Sequence, residues 1–170
     1  MMPVAFRTRR LSGAQLAKAY TLVQLASGDE DAAAWYRFAA AYSSQRLPNC
    51  APCGVVGVED ARGYVLGLFC FRVLRDTPYG ALLECDHFVV PDMVRSGLPF
   101  AELTLAAEEL AREHRCCRIR LAIPGTEHSF DRPGDRYRSA LNDAGFTLDS
   151  LRYEKRIDAP GASSQPRYSR

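Results

Sequence analysis

The segment that decides the fold is residues 85–123, which read CDHFVVPDMVRSGLPFAELTLAAEELAREHRCCRIRLAI. An apolar strand ends at Pro91, and a short loop containing Gly97 follows. An amphipathic helix is predicted over 99–114, before a second apolar strand at 118–123. A strand, loop and helix in this order can bind a phosphate group through backbone amides at the helix N-terminus. The function therefore depends on whether this loop is an anion site or an ordinary connection.

The rest of the chain supplies elements on either side of this segment. Helical spacing of apolar residues predicts a first helix over 12–27, and an alanine-rich second helix with an acidic first turn ends before Pro48. β-Branched and aromatic residues predict three strands between residues 55 and 90. A short helix closed by Gly145 and a last strand over 146–157 complete the predicted order β-α-α-β-β-β-α-β-α-β.

This order predicts one α/β domain built on a mixed sheet. The two strands that flank the long helix should be parallel and joined by a right-handed crossover, and the other strands should be antiparallel. We expect helices on both faces of the sheet. A single domain is predicted over 1–157, followed by a disordered tail over 158–170 that is rich in Pro, Ser and Gly.

Composition argues against several classes of function. The formal net charge of +2 is too small to predict binding to nucleic acid or to an anionic membrane. No apolar run approaches the roughly 20 residues of a membrane helix. The N-terminal sequence MMPVAFRTRR lacks the apolar core of a secretory signal. We therefore expect a cytoplasmic protein with no nucleic-acid or membrane partner.

The six cysteines do not predict a metal site. Cys50 and Cys53 have the C-x-x-C spacing of a zinc or redox pair, but a tetrahedral zinc site needs a second pair, and none with suitable spacing follows. Disulfides are not expected in a chain without a secretory signal. We expect the cysteines to be structural or incidental.

The element order and the segment quoted above resemble the GNAT superfamily of acyl-CoA-dependent N-acyltransferases, over roughly residues 4–157. The family's cofactor loop is commonly written V-x-P-x-x-[RQ]-x-x-G-x-[GA]. Its small residues let backbone amides at a helix N-terminus close around a pyrophosphate. The resemblance implies a GNAT-like fold and transfer of an acyl group to an amine by direct attack in a ternary complex.

The loop can be aligned with the family pattern in two registers. When Pro91 is the anchor, Val89 and Gly97 also match, Val94 stands at the [RQ] position and Pro99 at the last small position. Proline there removes one amide donor. When Arg95 is the anchor instead, Val90 stands at the valine position of the pattern, but Gly97 falls one place short of the glycine position.

In either register, the resemblance implies acetyl-CoA, or another acyl-CoA, as the co-substrate, and no metal. The implied binding residues lie at the strand end and in the loop; they are Phe88, Val89, Val90, Arg95, Ser96, Gly97, Leu98, Pro99 and Phe100. The implied acceptor is an amine on a small molecule or a peptide. A homodimer is one expected assembly.

The C-terminal part carries the second family motif, a helix followed by Gly145-Phe146 and a strand. In the family, a tyrosine four residues before this glycine often protonates the leaving thiolate, but this chain has Leu141 there. Tyr137 lies one helical turn earlier on nearly the same face, and is the candidate proton donor. Because both motifs depart from the family pattern, a non-catalytic GNAT-fold binding or regulatory module is the alternative hypothesis.

The strand before the loop contains a polar cluster, Glu84, Asp86 and His87. The family often places its general base on this strand. Alternation puts Glu84 and Asp86 on one face together with Phe88, and it puts His87 and Val89 on the opposite, more apolar face. Two carboxylates on the first face predict a polar environment there.

Three roles remain open for this cluster. Glu84 or Asp86 could be the catalytic base that takes a proton from the amine. The carboxylates could instead form ion pairs with Arg72 or Arg75 of the neighbouring strand. His87 is a third candidate for the base.

Overall fold

The computed structural model describes residues 6–27, 31–44, 52–75, 78, 80–90, 97–123 and 139–148. Its elements follow the predicted order: β1 (Arg7–Arg10), α1 (Ala14–Ser27), α2 (Ala32–Ser43), β2 (Cys53–Glu59), β3 (Val65–Leu74), β4 (Leu82–Val89), α3 (Leu98–Glu113) and β5 (Arg118–Leu121). Residues 139–143 are helical and belong to the predicted short helix. The predicted last strand, apart from residues 146–148, and the predicted tail lie outside the described residues, so both stay predictions.

The five strands that the structure describes form one sheet in the order β1-β2-β3-β4-β5. Neighbouring strands are antiparallel except β4 and β5, which are parallel. In this parallel pair, Leu82 lies opposite Arg118 and Cys85 lies opposite Leu121. The long helix α3 connects the two parallel strands. The predicted mixed α/β sheet is therefore confirmed.

Helices cover both faces of the sheet, and each face has its own core. The helices α1 and α2 pack over β2, β3 and β4, where Trp35 is fully buried and donates its indole N–H to the Leu16 carbonyl at 3.1 Å. Helix α3 packs on the opposite face, where its own Leu103 and the strand residues Phe69 and Phe71 are fully buried. We call these two sides the α1/α2 face and the α3 face.

β4 contains a β-bulge near its C-terminal end. The β3 residues Cys70 and Leu68 pair with Asp86 and Val89, so two residues of β4 lie opposite a single residue of β3. His87, inside the bulge, has a left-handed backbone with φ 51°. The extra residue reverses the alternation of side chains after Asp86.

The bulge makes part of the predicted alternation wrong. Phe88 does not share a face with Glu84 and Asp86; it is buried in the core of the α3 face. Val89 belongs instead to the core of the α1/α2 face, and the His87 ring also lies on that side. Alternation from the sequence assumes an uninterrupted strand, and an inserted residue breaks that assumption.

β1 is the outermost strand of the described sheet and carries three arginines in four residues, Arg7, Arg9 and Arg10. Arg9 binds the buried carboxylate of Glu59 on β2 at 2.7 Å. The guanidinium of Arg10 lies 5.1 Å from the ring centre of Phe71 on β3. These contacts hold a short edge strand against its neighbours.

Across the described ranges, no helix combines the length and apolar character needed to cross a membrane. The same residues bring together no group of three His, Cys, Asp or Glu side chains that could hold a metal ion. Cys53, from the C-x-x-C pair, is buried in β2, and its thiol donates to the Tyr42 carbonyl at 3.3 Å. Its partner Cys50 lies outside the described residues.

Candidate functional site

A row of charged side chains crosses the sheet on the α1/α2 face. Glu84 of β4 is paired with Arg72 of β3 on one side and with Arg120 of β5 on the other. The Nε and Nη2 atoms of Arg72 each lie 2.5 Å from Oε2 of Glu84, and Arg120 Nη1 lies 3.6 Å from Oε1. Because Glu84 is buried between two guanidinium groups, it is poorly placed to accept a proton from a substrate. The contact with Arg72 is the ion pair that the sequence offered as an alternative.

Asp86 has a different environment, two residues further along β4. Its Oδ2 accepts a hydrogen bond from the Tyr42 hydroxyl at 3.3 Å and lies 3.8 Å from Arg72 Nη2. Among the described residues, both contacts involve Oδ2 and neither involves Oδ1. The Asp86 side chain is 19% exposed, whereas that of Glu84 is 5% exposed. Of the two carboxylates, Asp86 is therefore the more accessible.

Tyr42 keeps its proton and acts as the donor to Asp86. Burial raises the pKa of Tyr42 above its ordinary value, and the negative charge of Asp86 raises that pKa further. The Tyr42 side chain is buried near the end of α2, with its ring centroid 4.8 Å from that of Phe38. The hydroxyl therefore stays a hydrogen-bond donor throughout the neutral pH range and fixes the orientation of Asp86.

His87, the third candidate base, lies beside the aromatic side chains of α2. Its ring centroid is 4.6 Å from that of Phe38 and 6.4 Å from that of Trp35. Left-handed backbone in a residue other than glycine costs roughly 1–2 kcal/mol, although histidine adopts it more often than most residues. His87 therefore turns the strand and fills the space beneath α2. Its packing against these rings makes Asp86 the better candidate base.

The last described backbone contacts between β4 and the chain after β5 lie at the bulge. The Ala122 N–H donates to the Cys85 carbonyl at 2.8 Å, and the Phe88 N–H donates to the Ala122 carbonyl at 3.2 Å. Within the part of the chain that the structure describes, no later backbone hydrogen bond joins the two strands. The Phe88 N–H is engaged with the chain after β5, so the cofactor contacts predicted at the end of β4 would have to be made by groups other than this amide.

The described part of the predicted phosphate loop is the start of α3. Gly97 caps the helix with φ 65°, and its carbonyl accepts the Ala101 N–H at 3.1 Å. Apart from its chain neighbours, no described atom lies within 4 Å of the point where a Cβ on residue 97 would stand. Leu98 is half exposed. Arg95 and Ser96, the other predicted loop residues, lie outside the described residues.

The next two residues of α3 face the core. Pro99 and Phe100 are buried, and the Phe100 ring meets the Phe88 ring edge-on with centroids 5.4 Å apart. Val90, just after β4, packs against the same core. Since Pro99 has no N–H, the first turn of α3 has one donor fewer than an ordinary helix start. An anion bound at this end of α3 would therefore depend on backbone N–H donors of Gly97, Leu98 and the loop before them.

The candidate proton donor, Tyr137, lies outside the described residues. Leu141, at the position where the family has its tyrosine, packs against the core of the α3 face. Gly145 ends the short helix as predicted, with φ 80°. The Phe146 N–H donates to the Leu141 carbonyl at 2.8 Å, and the Gly145 N–H donates to the Asn142 carbonyl at 2.9 Å, which together form a Schellman ending.

A cleft of about 910 Å³ lies between α3, β5 and residues 141–148. Its lining includes Arg112, Ile119 and Leu141. Among the described residues that line it are neither Asp86 nor Gly97. The described lining therefore excludes the carboxylates of β4 and the start of α3, but it includes Arg120, which pairs with Glu84.

The thiol of Cys85, between the two carboxylates in sequence, should make stability depend on pH. Burial raises the pKa of the Cys85 thiol, and the charges of Asp86 and Glu84 add to the effect. In the unfolded chain a thiol titrates near pH 8.5. Above about that pH the unfolded state loses a proton that the folded state keeps, so the free energy of unfolding should fall as pH rises.

Urea unfolding between about pH 8 and 9.5, below the ordinary tyrosine pKa, measures this slope. Cys85→Ala should flatten it, and Cys117→Ala, which changes an exposed thiol, should leave it as in the wild type. An equal slope in the wild type and in Cys85→Ala would contradict the assignment.

No protein-family model matches the sequence, and no curated protein matches it significantly. Solved structures do match the fold. An acetyltransferase from Trypanosoma brucei is 16% identical with a TM-score of 0.65, and the alignment covers 90% of this chain and 100% of that one. Glucosamine-6-phosphate N-acetyltransferase from Arabidopsis thaliana is 14% identical with a TM-score of 0.67, and the alignment covers 91% and 99%.

A transcriptional regulator from Bacillus halodurans also matches, at 12% identity and a TM-score of 0.68, with 90% of this chain and 100% of that chain covered. At these identities the matches establish the fold only. The activity has to be inferred from the residues of the site. The TM-scores of 0.65 to 0.68, over about 90% of this chain, show that its overall architecture agrees with these structures. The chain therefore has the fold of the GNAT acetyltransferases, as its sequence predicts.

Proposed function

We propose that the protein is an acyl-CoA-dependent N-acyltransferase that joins an acyl group to an amine by direct attack in a ternary complex. The observation that carries the proposal is the placement of Asp86. This carboxylate lies beside the bulge of the strand that precedes the loop, it is partly exposed, and its orientation is fixed by Tyr42 and Arg72. The neighbouring Glu84 instead forms ion pairs with two arginines, Arg72 and Arg120.

The residues present fit an acyl-CoA at the ends of β4 and β5. The last described hydrogen bond between β4 and the chain after β5 is at Ala122, and α3 begins at its cap, Gly97, where no described atom other than those of its chain neighbours lies within 4 Å of the position of a Cβ. A glycine with this conformation allows an anionic group to approach the main chain closely. We assign the cofactor to Val89, Val90 and the predicted loop Arg95–Phe100, with Pro99 contributing packing and no donor.

Bound acyl-CoA would supply an acyl group activated as a thioester. On attack, the amine nitrogen would form a bond to the acyl carbon, the carbon–sulfur bond would break to release CoA as a thiolate, and Asp86 would accept the proton that the nitrogen loses. Tyr42 and Arg72 hold Oδ2 of Asp86, which directs Oδ1 to the amine. Tyr137 stays the proposed donor of a proton to the leaving thiolate.

Calorimetric titration with acetyl-CoA tests the proposal. Binding should be measurable in the wild type, and Gly97→Ala should weaken it by about tenfold, because a Cβ strains the left-handed backbone and covers the open side. Gly63→Ala is the matched control: Gly63 also has a positive φ, 78°, and open space, but it lies in the β2–β3 turn. Thiol release with a panel of amines then tests turnover.

The alternative is a non-catalytic binding or regulatory module with the same fold. Two observations favour it: Pro99 removes a donor from the first turn of α3, and the Phe88 amide is engaged with Ala122. The transcriptional regulator among the structural matches illustrates that the fold is not confined to proteins described as acetyltransferases. If millimolar acetyl-CoA gives no calorimetric signal, the module is the correct reading.

A further inference from the structure

We propose that the acceptor amine carries an anionic group, a carboxylate or a phosphate, and that Arg120 binds it. This inference rests on the proposed function, because it names the substrate class of the same site. The observations behind it are the direction, pairing and exposure of the arginines on the α1/α2 face next to Asp86.

The arginines of β5 lie on the same face as Asp86. Along β5, Ile119 and Leu121 pack against the core of the α3 face, so the alternate residues Arg118 and Arg120 are directed to the α1/α2 face. The contact between Arg120 and Glu84 confirms this direction. The helices α1 and α2 pack over β2, β3 and β4, which places β5 beside them at the margin of that helical layer.

Arg120 has donors to spare for a ligand. Glu84 is hydrogen-bonded by Arg72 at 2.5 Å, whereas Arg120 Nη1 approaches it only to 3.6 Å, beyond hydrogen-bond range. The Arg120 side chain is 46% exposed. A guanidinium has five N–H donors in a planar fork that matches a carboxylate or a phosphate. A loose ion pair therefore leaves most of these donors for an anion.

The two arginines that contact Glu84 are held differently. Arg72 is hydrogen-bonded to Glu84, whereas Arg120, on the β5 side, makes only a loose ion pair with it and is half exposed. The exposed carboxylate, Asp86, lies on the α2 side. An acceptor with its amine at Asp86 and an anion at Arg120 would match both ends.

The strand geometry sets the scale of such an acceptor. Arg120 lies opposite Glu84, and Asp86 is two residues further along β4, which corresponds to about 7 Å along the strand. The amine and the anion of the acceptor should therefore be several bonds apart. ω-Amino carboxylates and aminoalkyl phosphates of increasing length are suitable probes for this spacing.

The test compares matched acceptors in the thiol-release assay. One arm contains ω-amino carboxylates, a second contains aminoalkyl phosphates, and the reference arms contain the corresponding amino amides and diamines. We expect KM to be about tenfold lower or more for one of the anionic arms than for the amides, as for a charge-assisted hydrogen bond. The better of the two anionic arms identifies the anion.

Arg120→Gln should abolish this preference, so that the KM values of the anionic amines and the neutral amides become similar. Arg62→Gln, which removes the same charge from the exposed β2–β3 turn, should keep it. Added salt should raise the KM of the anionic amines more than that of the neutral ones. Calorimetric titration of the anionic amines into the protein, without acyl-CoA, gives a readout that does not need turnover.

The outcomes separate this inference from the proposed function. Acylation that favours neutral or cationic amines, or a preference for anions that survives in Arg120→Gln, overturns the inference and leaves the transferase standing. Binding of anionic amines that depends on Arg120, without acylation of any amine, supports the anion site and overturns the transferase. If neither acylation nor binding is observed, both are overturned.

Discussion

Asp86→Asn is expected to lower kcat/KM for amine acylation by about 10²–10⁴-fold, the range contributed by a general base. Asparagine keeps the shape of the side chain and can still accept the Tyr42 hydrogen bond, but its amide cannot take a proton from the acceptor. Stability should therefore change far less than rate. Thiol release at saturating acetyl-CoA, with urea unfolding alongside, measures both quantities.

Three variants make this expectation specific. Asp143→Asn removes an exposed carboxylate on the short helix and should retain the wild-type rate. Tyr42→Phe keeps the carboxylate and loses its orienting bond, so the rate should fall, but by less than in Asp86→Asn. Glu84→Gln should chiefly lower stability, because it removes the charge that Arg72 and Arg120 share.

Two results would mean that Asp86 is not the base. One is a full rate in Asp86→Asn, and the other is an equal loss of rate in Glu84→Gln with unchanged stability.

Phe88→Ala should have the largest effect on stability, a loss of about 3–5 kcal/mol in the free energy of unfolding. The Phe88 ring is buried, stacks on Phe69 with centroids 5.7 Å apart, and meets Phe100 edge-on at 5.4 Å. The Phe88 ring therefore packs the bulge of β4 against both the centre of the sheet and the first turn of α3. Its removal leaves a cavity under the helix start, and urea unfolding followed by circular dichroism measures the cost.

Leu98→Ala provides the control for Phe88→Ala. Leu98 lies in the same helical turn as Phe100 but is 49% exposed, so truncation there should cost less than about 1 kcal/mol. If Phe88→Ala were as mild as Leu98→Ala, the packing of the helix start against the bulge would be less tight than the ring contacts indicate.

Most of the fold could be predicted from local signals in the sequence. The apolar spacing of α3, the proline and glycine before it and the apolar strand after it define a crossover that joins parallel strands, and the structure confirms it. Turn residues and β-branched runs likewise placed β2, β3 and β4 in order. These signals depend on residues close together in the chain, which is why one sequence is enough to read them.

The geometry of the site is harder to predict from the sequence because it depends on contacts between residues that are distant in the chain. Nothing local marks His87 as the extra residue of a bulge, yet this residue decides which face Phe88 and Val89 occupy. Tyr42 could be assigned to α2, but its bond to Asp86 depends on how α2 lies across β4. The pairing of Arg120 with Glu84 likewise depends on the register of β5, which the sequence does not specify.

The arginine-rich outer strand, Arg7–Arg10, bears on how copies of this protein meet. A free sheet edge offers backbone groups to which another chain could add a strand. If two copies paired through β1, guanidinium groups would be brought together across the new junction, with a cost that salt would reduce. Among the described strands, this charged border therefore opposes edge-to-edge pairing of copies through β1.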